Sequence, residues 1–254
     1  GLAGLPMFEP GNVRQTYDLT REAFELSEKT GVPVIIRLVT SVAHGEAELD
    51  VDFEYHPRET VPSHTRDITK FTKAGSKICV DQHGALLERL KACEEAYESS
   101  GWNRFEKAEG ARICAVGSGV MNEYLGEVLS EYPDVSSVRM TATWPVEQRR
   151  MTEVLKTHDT VLVLEELEPV LESALRNFAQ LEGLPARIVG KLDGTLPRVG
   201  RYSLATIRSG LAAAVGTEED KTELSAAAQY RHTITFCSGC PHRGTYMALN
   251  RAIK

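Results

Sequence analysis

Apolar positions recur along this chain with two spacings, and the alternation between them outlines an α/β protein. Residues 13–30 set Tyr17, Leu19, Ala23, Phe24 and Leu26 on one broad apolar face, with Arg14, Asp18, Arg21, Glu25 and Glu28 largely opposite. This predicts an amphipathic helix ended by Gly31 and Pro33. The run Pro33 to Val39 is nearly continuous and β-branched, broken only by Arg37, which is the pattern of a strand buried on both faces of a parallel sheet. Thr40 to Gly45 then lies just past its carboxyl end, the edge where open α/β sheets bind ligands. Residues 46–75, with Pro57 and Pro62 among mixed charges, predict an irregular connector, and residues 82–100 a charged helix carrying Leu86, Leu87, Leu90, Cys93 and Tyr97.

A regular alternation follows. Strands are expected at 112–117, 135–141, 160–164 and 186–190, with helices at 120–131, 146–157, after 164 and at 203–215. Leu167, Leu171, Ala174, Phe178 and Leu181 mark one face of the third of these helices. Strands separated by helices of this length require parallel crossovers, so residues 109–216 predict a parallel sheet with helices on both faces.

Charge narrows the function. A formal net charge of −7, with no basic stripe interleaved with aromatics, excludes general affinity for nucleic acid or anionic lipid. No run approaches the roughly eighteen apolar residues of a membrane span. A soluble, cytoplasmic protein is expected. The first residue is Gly1, and the chain stops soon after Gly244, so a segment of a larger polypeptide is expected too. Five cysteines, an odd number without regular spacing, point to a reducing compartment. Cys79, Cys93 and Cys114 sit in apolar or helical patterns, where buried free thiols are expected.

Chemistry concentrates in one stretch, Cys237-Ser-Gly-Cys-Pro-His-Arg-Gly244, after the apolar run 233–236 and before a helical pattern. Pro241 suits a first helical turn and Gly239 permits a tight bend, so free amides, two thiols, His242 and Arg243 gather at a positive helix end. The pair Cys237 and Cys240 admits four readings: half of a zinc site, two ligands of an iron–sulfur cluster, a redox dithiol, or a structural turn. Three other stretches read as structural. Gly117-Ser-Gly119 is half a dinucleotide fingerprint with Asn122 where the third glycine belongs. Glu165 to Glu168 place negative charge at a helix start. Lys191 to Arg198 read as a turn. His44, His56, His64 and His83 are too scattered for a metal set.

These residues resemble the alpha subunits of indolepyruvate ferredoxin oxidoreductases, thiamine-diphosphate enzymes of the 2-oxoacid:ferredoxin oxidoreductase superfamily. The match lies in Ala23–Glu28 with Pro33–Arg37, Val163–Pro169, Lys191–Gly200 and Cys237–Gly244, in the family's order. The resemblance implies a transketolase-C-terminal-like domain flanked by partial thiamine-diphosphate-binding domains. Residues 1–50 would be the tail of the first thiamine-binding (pyrimidine-type) domain and 51–108 a connector with a helix. Residues 109–216 would be the transketolase-C-terminal-like domain, and 217–254 a linker and the start of the second (diphosphate-type) domain.

The resemblance also implies oxidative decarboxylation of aryl pyruvates to aryl-acetyl-CoA with ferredoxin as acceptor. Its cofactors would be thiamine diphosphate, Mg2+ and 4Fe-4S clusters, and its partners a beta subunit, ferredoxin and CoA, in an oligomer. Arg37, Thr40 and His44 would lie near substrate, and Gly239, Cys240, Pro241, His242 and Arg243 near cofactor, with Cys237 and Cys240 as the metal candidates. No catalytic residue is assigned within the chain, and the segment alone is expected to be inactive. The family's basic residue and Ser before the His are replaced by Ser41 and Ala43. Two other classes compete: a non-catalytic assembly module, and a thiol redox protein using Cys237 and Cys240.

Overall fold

The first strand, β1 (Met7–Phe8), is only two residues long, and it ends where Asn12 caps a helix. The structure, a computed structural model, describes residues 4–51, 66–217 and 240–253. The Asn12 side chain accepts the Gln15 N–H and so satisfies one of the free donors of α1 (Val13–Thr30), which Gly31 ends in the left-handed conformation. Next come β2 (Ile35–Ile36), the short α2 (Thr40–Ala43), α3 (Ile68–Phe71), α4 (Ser76–Ser100) and β3 (Arg104–Glu106). The alternating part comprises β4 (Ile113–Ser118), α5 (Met121–Val128), β5 (Val135–Met140), β6 (Ala142–Trp144), α6 (Gln148–Thr157), β7 (Thr160–Leu164), α7 (Val170–Glu182), β8 (Arg187–Val189) and α8 (Leu204–Val215).

Two sheets organise residues 1–220, which form one structural unit. The larger has the order β3-β5-β4-β7-β8, parallel throughout except for the antiparallel edge strand β3. One face carries Ala115, Leu162, Leu164 and Val189 against Met121 and Leu125 of α5 and Ile207 and Leu211 of α8. The other carries Val116, Val138, Val161 and Val163 against Met151 and Leu155 of α6 and Leu171 and Leu175 of α7. Burying both faces of the sheet explains why its central strands are almost uninterrupted apolar runs.

The smaller sheet has the order β2-β1-β6, with β1 parallel to β2 and antiparallel to β6. Under it α1 and α4 bury Phe8, Leu19, Leu26, Cys93 and Tyr97, with Trp102 packed alongside. The Phe8 and Trp102 rings meet edge to face at 4.8 Å, a favoured aromatic geometry. Asn103 ties this cluster to the larger sheet. It is 3% exposed, donates to the Ala142 carbonyl and the Glu147 carboxylate, and accepts the Thr141 and Ala142 N–H groups.

Several expectations are corrected. The strand expected across 33–39 is β2 at the edge of the small sheet, with Ile35 and Leu38 exposed, so it is not buried on both faces. Its β-branched run serves one ladder partner only. Residues 104–106, read as connector, are an edge strand, and the helix expected from residue 82 begins at Ser76. On α7, Ala174 and Phe178 pack against the core as expected, beside the buried Leu171, Leu175 and Ala179, but Leu167 precedes the helix with φ 64° and Leu181 is exposed. Cys93 and Cys114 are buried as expected, but Cys79 is exposed because the first half of α4 buries no side chain.

Residues 221–254 form the second unit. Its described part is α9 (Pro241–Ile253), with Pro241 as the first helical residue, where its missing N–H costs nothing. Among the described residues, no helix is long and apolar enough to cross a membrane.

Candidate functional site

Parallel strands that all point one way bring their carboxyl ends to one edge. There the chain places Ser118 and Gly119 after β4, Glu165 and Glu166 after β7, and Lys191 after β8. Glu9 after β1 and Arg37 after β2 join them through the small sheet. The Arg37 guanidinium donates through Nε to Glu9 Oε1 at 2.9 Å and through Nη2 to Glu9 Oε2 at 2.8 Å. Glu9 also accepts the Thr143 hydroxyl, and its N–H donates to the Thr141 carbonyl. Burial works against the charge on Arg37, but the Glu9 pair and the nearby Glu165 and Glu166 carboxylates more than offset it and raise its pKa.

Gly117-Ser-Gly119 is a packed turn. A Cβ on Gly119 would lie 3.4 Å from the Cβ and Oε2 of Glu9, and one on Gly11 would lie 2.7 Å from the Gly119 carbonyl oxygen. The space between Glu9, Arg37, Gly119 and Glu166 is about 10 Å³, room for one water at most. Phosphate cannot enter this turn, because the start of the chain fills it.

The acidic stretch has divided roles. Glu165 is 5% exposed and accepts the N–H groups of Leu171 and Glu172, capping α7 from before its first residue. Glu172, itself 1% exposed, accepts the N–H groups of Lys191 and Leu192 and pairs with Arg176. The Lys191 ammonium donates to the Leu167 carbonyl and lies 5.2 Å from the Tyr202 ring centroid. Glu168 pairs with Arg198 at 2.8 Å. Burial pushes the pKa of both Glu165 and Glu166 up and that of Lys191 down. Glu166 is half-buried, with the charges of Arg37, Arg201 and Lys191 acting on it.

Thr40 begins α2, and His44 caps its end, its N–H donating to the Thr40 carbonyl at 3.0 Å; both side chains are exposed. Arg37, Thr40 and His44 therefore follow one another around the end of β2, but only Arg37 joins the charged cluster. Cys240 directly precedes α9, with its sulfur 3.4 Å from His242 Nδ1, and Arg243 donates its N–H to the Cys240 carbonyl. Cys237 and Gly239, like His56 and His64, lie outside the described residues. Among the described residues, no three His, Cys, Asp or Glu side chains are grouped to hold a metal.

Sequence reading missed Glu9, whose neighbours Phe8 and Pro10 give no periodic signal. It also missed a buried pair at the opposite end of the large sheet, where His158 contacts the Val154 carbonyl and the Ser136 hydroxyl, each at 2.9 Å. These two groups line a pocket of about 440 Å³ together with Phe105, Cys114 and Arg150. Burial pushes the Cys114 thiol up to about 12, so it is an inert wall there.

No protein-family model matches the chain. Curated relatives do. The indolepyruvate oxidoreductase subunit IorA of Methanothermobacter marburgensis is 27% identical over 263 residues, a match covering 99% of this chain and 41% of that protein. The subunit of the same name from Pyrococcus horikoshii is 29% identical over 269 residues, covering 98% and 40%. The chain thus spans about two fifths of the length of the curated relatives it matches. Among solved structures, the 2-oxoglutarate:ferredoxin oxidoreductase from Magnetococcus marinus superposes with a TM-score of 0.56 at 14% identity, covering 83% of this chain and 42% of that one. At that identity the likeness establishes a shared fold. Along essentially its whole length, this chain is similar to one part of the indolepyruvate oxidoreductase subunits, as its motifs implied.

Proposed function

We propose that this chain is part of a thiamine-diphosphate-dependent 2-oxoacid:ferredoxin oxidoreductase that converts aryl pyruvates to aryl-acetyl-CoA and works as a whole only with the remaining polypeptide. The carrying observation is the match to indolepyruvate oxidoreductase subunits over 98–99% of the chain. The convergence of strand ends on Arg37 and Glu166 supports it, since that edge is where α/β sheets place ligands.

In this reading, residues 1–50 end the first thiamine-binding domain, 51–108 connect, 109–216 are the transketolase-C-terminal-like domain and 217–254 enter the second thiamine-binding domain. Arg37, Thr40 and His44 face the oxoacid. Gly239 to Arg243 face the cofactor, with Cys237 and Cys240 beside it.

The start of α9 fits an anionic cofactor group: Pro241 opens the helix, His242 and Arg243 lie in its first turn, and a helix N-terminus favours negative charge. Among the described residues no three suitable ligands are grouped, and in this reading Mg2+ and the iron–sulfur clusters are bound mainly by polypeptide outside this chain. Bound thiamine diphosphate would supply the nucleophilic carbanion, and this chain would supply position and charge. Ferredoxin, CoA and a beta subunit are the partners, in a cytoplasmic oligomer.

The test is an assay of the full-length protein with its partner subunit, thiamine diphosphate, Mg2+, CoA and a ferredoxin-type acceptor. Indolepyruvate or phenylpyruvate should drive acceptor reduction and CoA-thioester formation. An inactive complex with every 2-oxoacid tried would end the proposal.

A further inference from the structure

Arginine 37 is held as a built device. Its guanidinium has five N–H donors in a fixed fork. Glu9 takes two of them, one from Nε and one from Nη2, in the parallel bidentate arrangement that fixes the plane of the group. Glu9 is itself pinned. Its side chain is 9% exposed, its carboxylate accepts the Thr143 hydroxyl, and its main-chain N–H donates to Thr141. Gly119, with φ +55°, leaves just enough room for that carboxylate, since any Cβ there would touch it.

The inner side of the guanidinium is closed, because the space beside it is about 10 Å³. Yet the Arg37 side chain keeps 31% of its surface exposed. Glu9 therefore occupies the buried edge of Arg37, and the remaining donors are offered at the carboxyl edge of the strands. An arginine on an exposed strand end would normally sample many rotamers, and ordering them costs binding energy. Here that ordering is already done.

We propose that Glu9, braced by Thr143, is the positioning residue for Arg37 and sets its free edge to bind the carboxylate of a 2-oxoacid. The inference rests on the reading of this edge as an oxoacid site. Glu9 touches no substrate; it acts through Arg37. Its negative charge also cancels the charge of Arg37, so recognition depends on directed hydrogen bonds more than on net attraction. That favours a planar carboxylate over an anion of arbitrary shape.

The experiment uses the full-length protein with its partner subunit and compares wild type with Glu9→Gln and Thr143→Val. Glu9→Gln keeps the shape and replaces one carboxylate oxygen by a donor that faces another donor. The KM for the oxoacid should rise about tenfold or more, while the KM for CoA stays unchanged and kcat moves less than threefold. Thr143→Val removes only the brace and should raise the oxoacid KM severalfold, with little change in Tm. If Glu9→Gln does not fold, Thr143→Val alone decides the matter. Unchanged oxoacid KM, or equal rises for oxoacid and CoA that track a loss of Tm, would overturn the proposal. A wild-type complex that oxidises no 2-oxoacid would instead overturn the functional reading beneath it.

Discussion

Lys191 donates from its buried ammonium to the main-chain carbonyl of Leu167, and that contact joins the loop after β8 to the loop after β7. Leu167 is the only non-glycine residue with positive φ among the described residues, a conformation that costs about 1 kcal/mol or more for a Leu. Lys191→Met should leave the Leu167 carbonyl unpaired and the nearby carboxylates less balanced, lowering stability by about 1–3 kcal/mol. Urea unfolding measures the loss, and faster amide exchange at residues 166–168 would locate it.

Asn103 satisfies four partners from a buried position. Asn103→Ala strands two main-chain N–H groups, a carbonyl and one contact of the Glu147 carboxylate. The expected cost is about 3 kcal/mol, read from chemical denaturation. A variant as stable as wild type would mean that water replaces the side chain.

Gly11 is held by space, not by backbone angle. A methyl group there would meet the Gly119 carbonyl oxygen at 2.7 Å, a main-chain atom that cannot swing away. Gly11→Ala should cost about 1–3 kcal/mol. Gly31→Ala, with nothing near its missing Cβ but φ at 68°, should cost about 1 kcal/mol from backbone strain alone. Comparing Tm for the two variants separates these causes.

Glu166 gives a pH signature. Burial raises its folded pKa above the ordinary carboxylate value of 4.5, and the facing Arg37, Arg201 and Lys191 only partly counter this. Between pH 4.5 and its folded pKa, the native state binds more protons than the unfolded one, so the stability contribution is fully present below 4.5 and falls as pH rises. Glu166→Gln should flatten that fall, while Glu165 and Glu9 remain in place. Denaturation midpoints from pH 4 to 7 test it; parallel curves for the two proteins would count against it.

The thiols should separate by exposure. Cys79 is open on α4, whereas Cys93 and Cys114 are buried and burial raises both thiols. Alkylation of the native protein at pH 8, followed by peptide mass mapping, should modify Cys79 well before either of the other two.

The long strands and helices of the parallel sheet were legible because both of its faces are buried, which turns β4 and β7 into nearly continuous apolar runs. Their connecting helices carry clear 3.6-residue faces. The two- and three-residue strands β1, β3 and β6 were not legible, since pieces that short have no period to detect. Ile35 and Ile36 misled in the other direction: β-branching reports strand tendency, not burial, and a strand at a sheet edge can carry the same residues. At the candidate site Arg37 stood out by interrupting an apolar run. Glu9 did not, because nothing local distinguishes a charge that pairs with a residue 28 positions away.

The ladder between Met7–Phe8 and Ala142–Trp144 has a practical consequence for anyone trimming this protein. A fragment starting at residue 109 would look like a tidy excision of the parallel layer. It would also strip β6 of its neighbour and β5 of its outer strand β3, and take away the aromatic packing around Trp102. Expression boundaries should therefore begin upstream of Met7, so that no sticky strand margin is left to recruit a stranger.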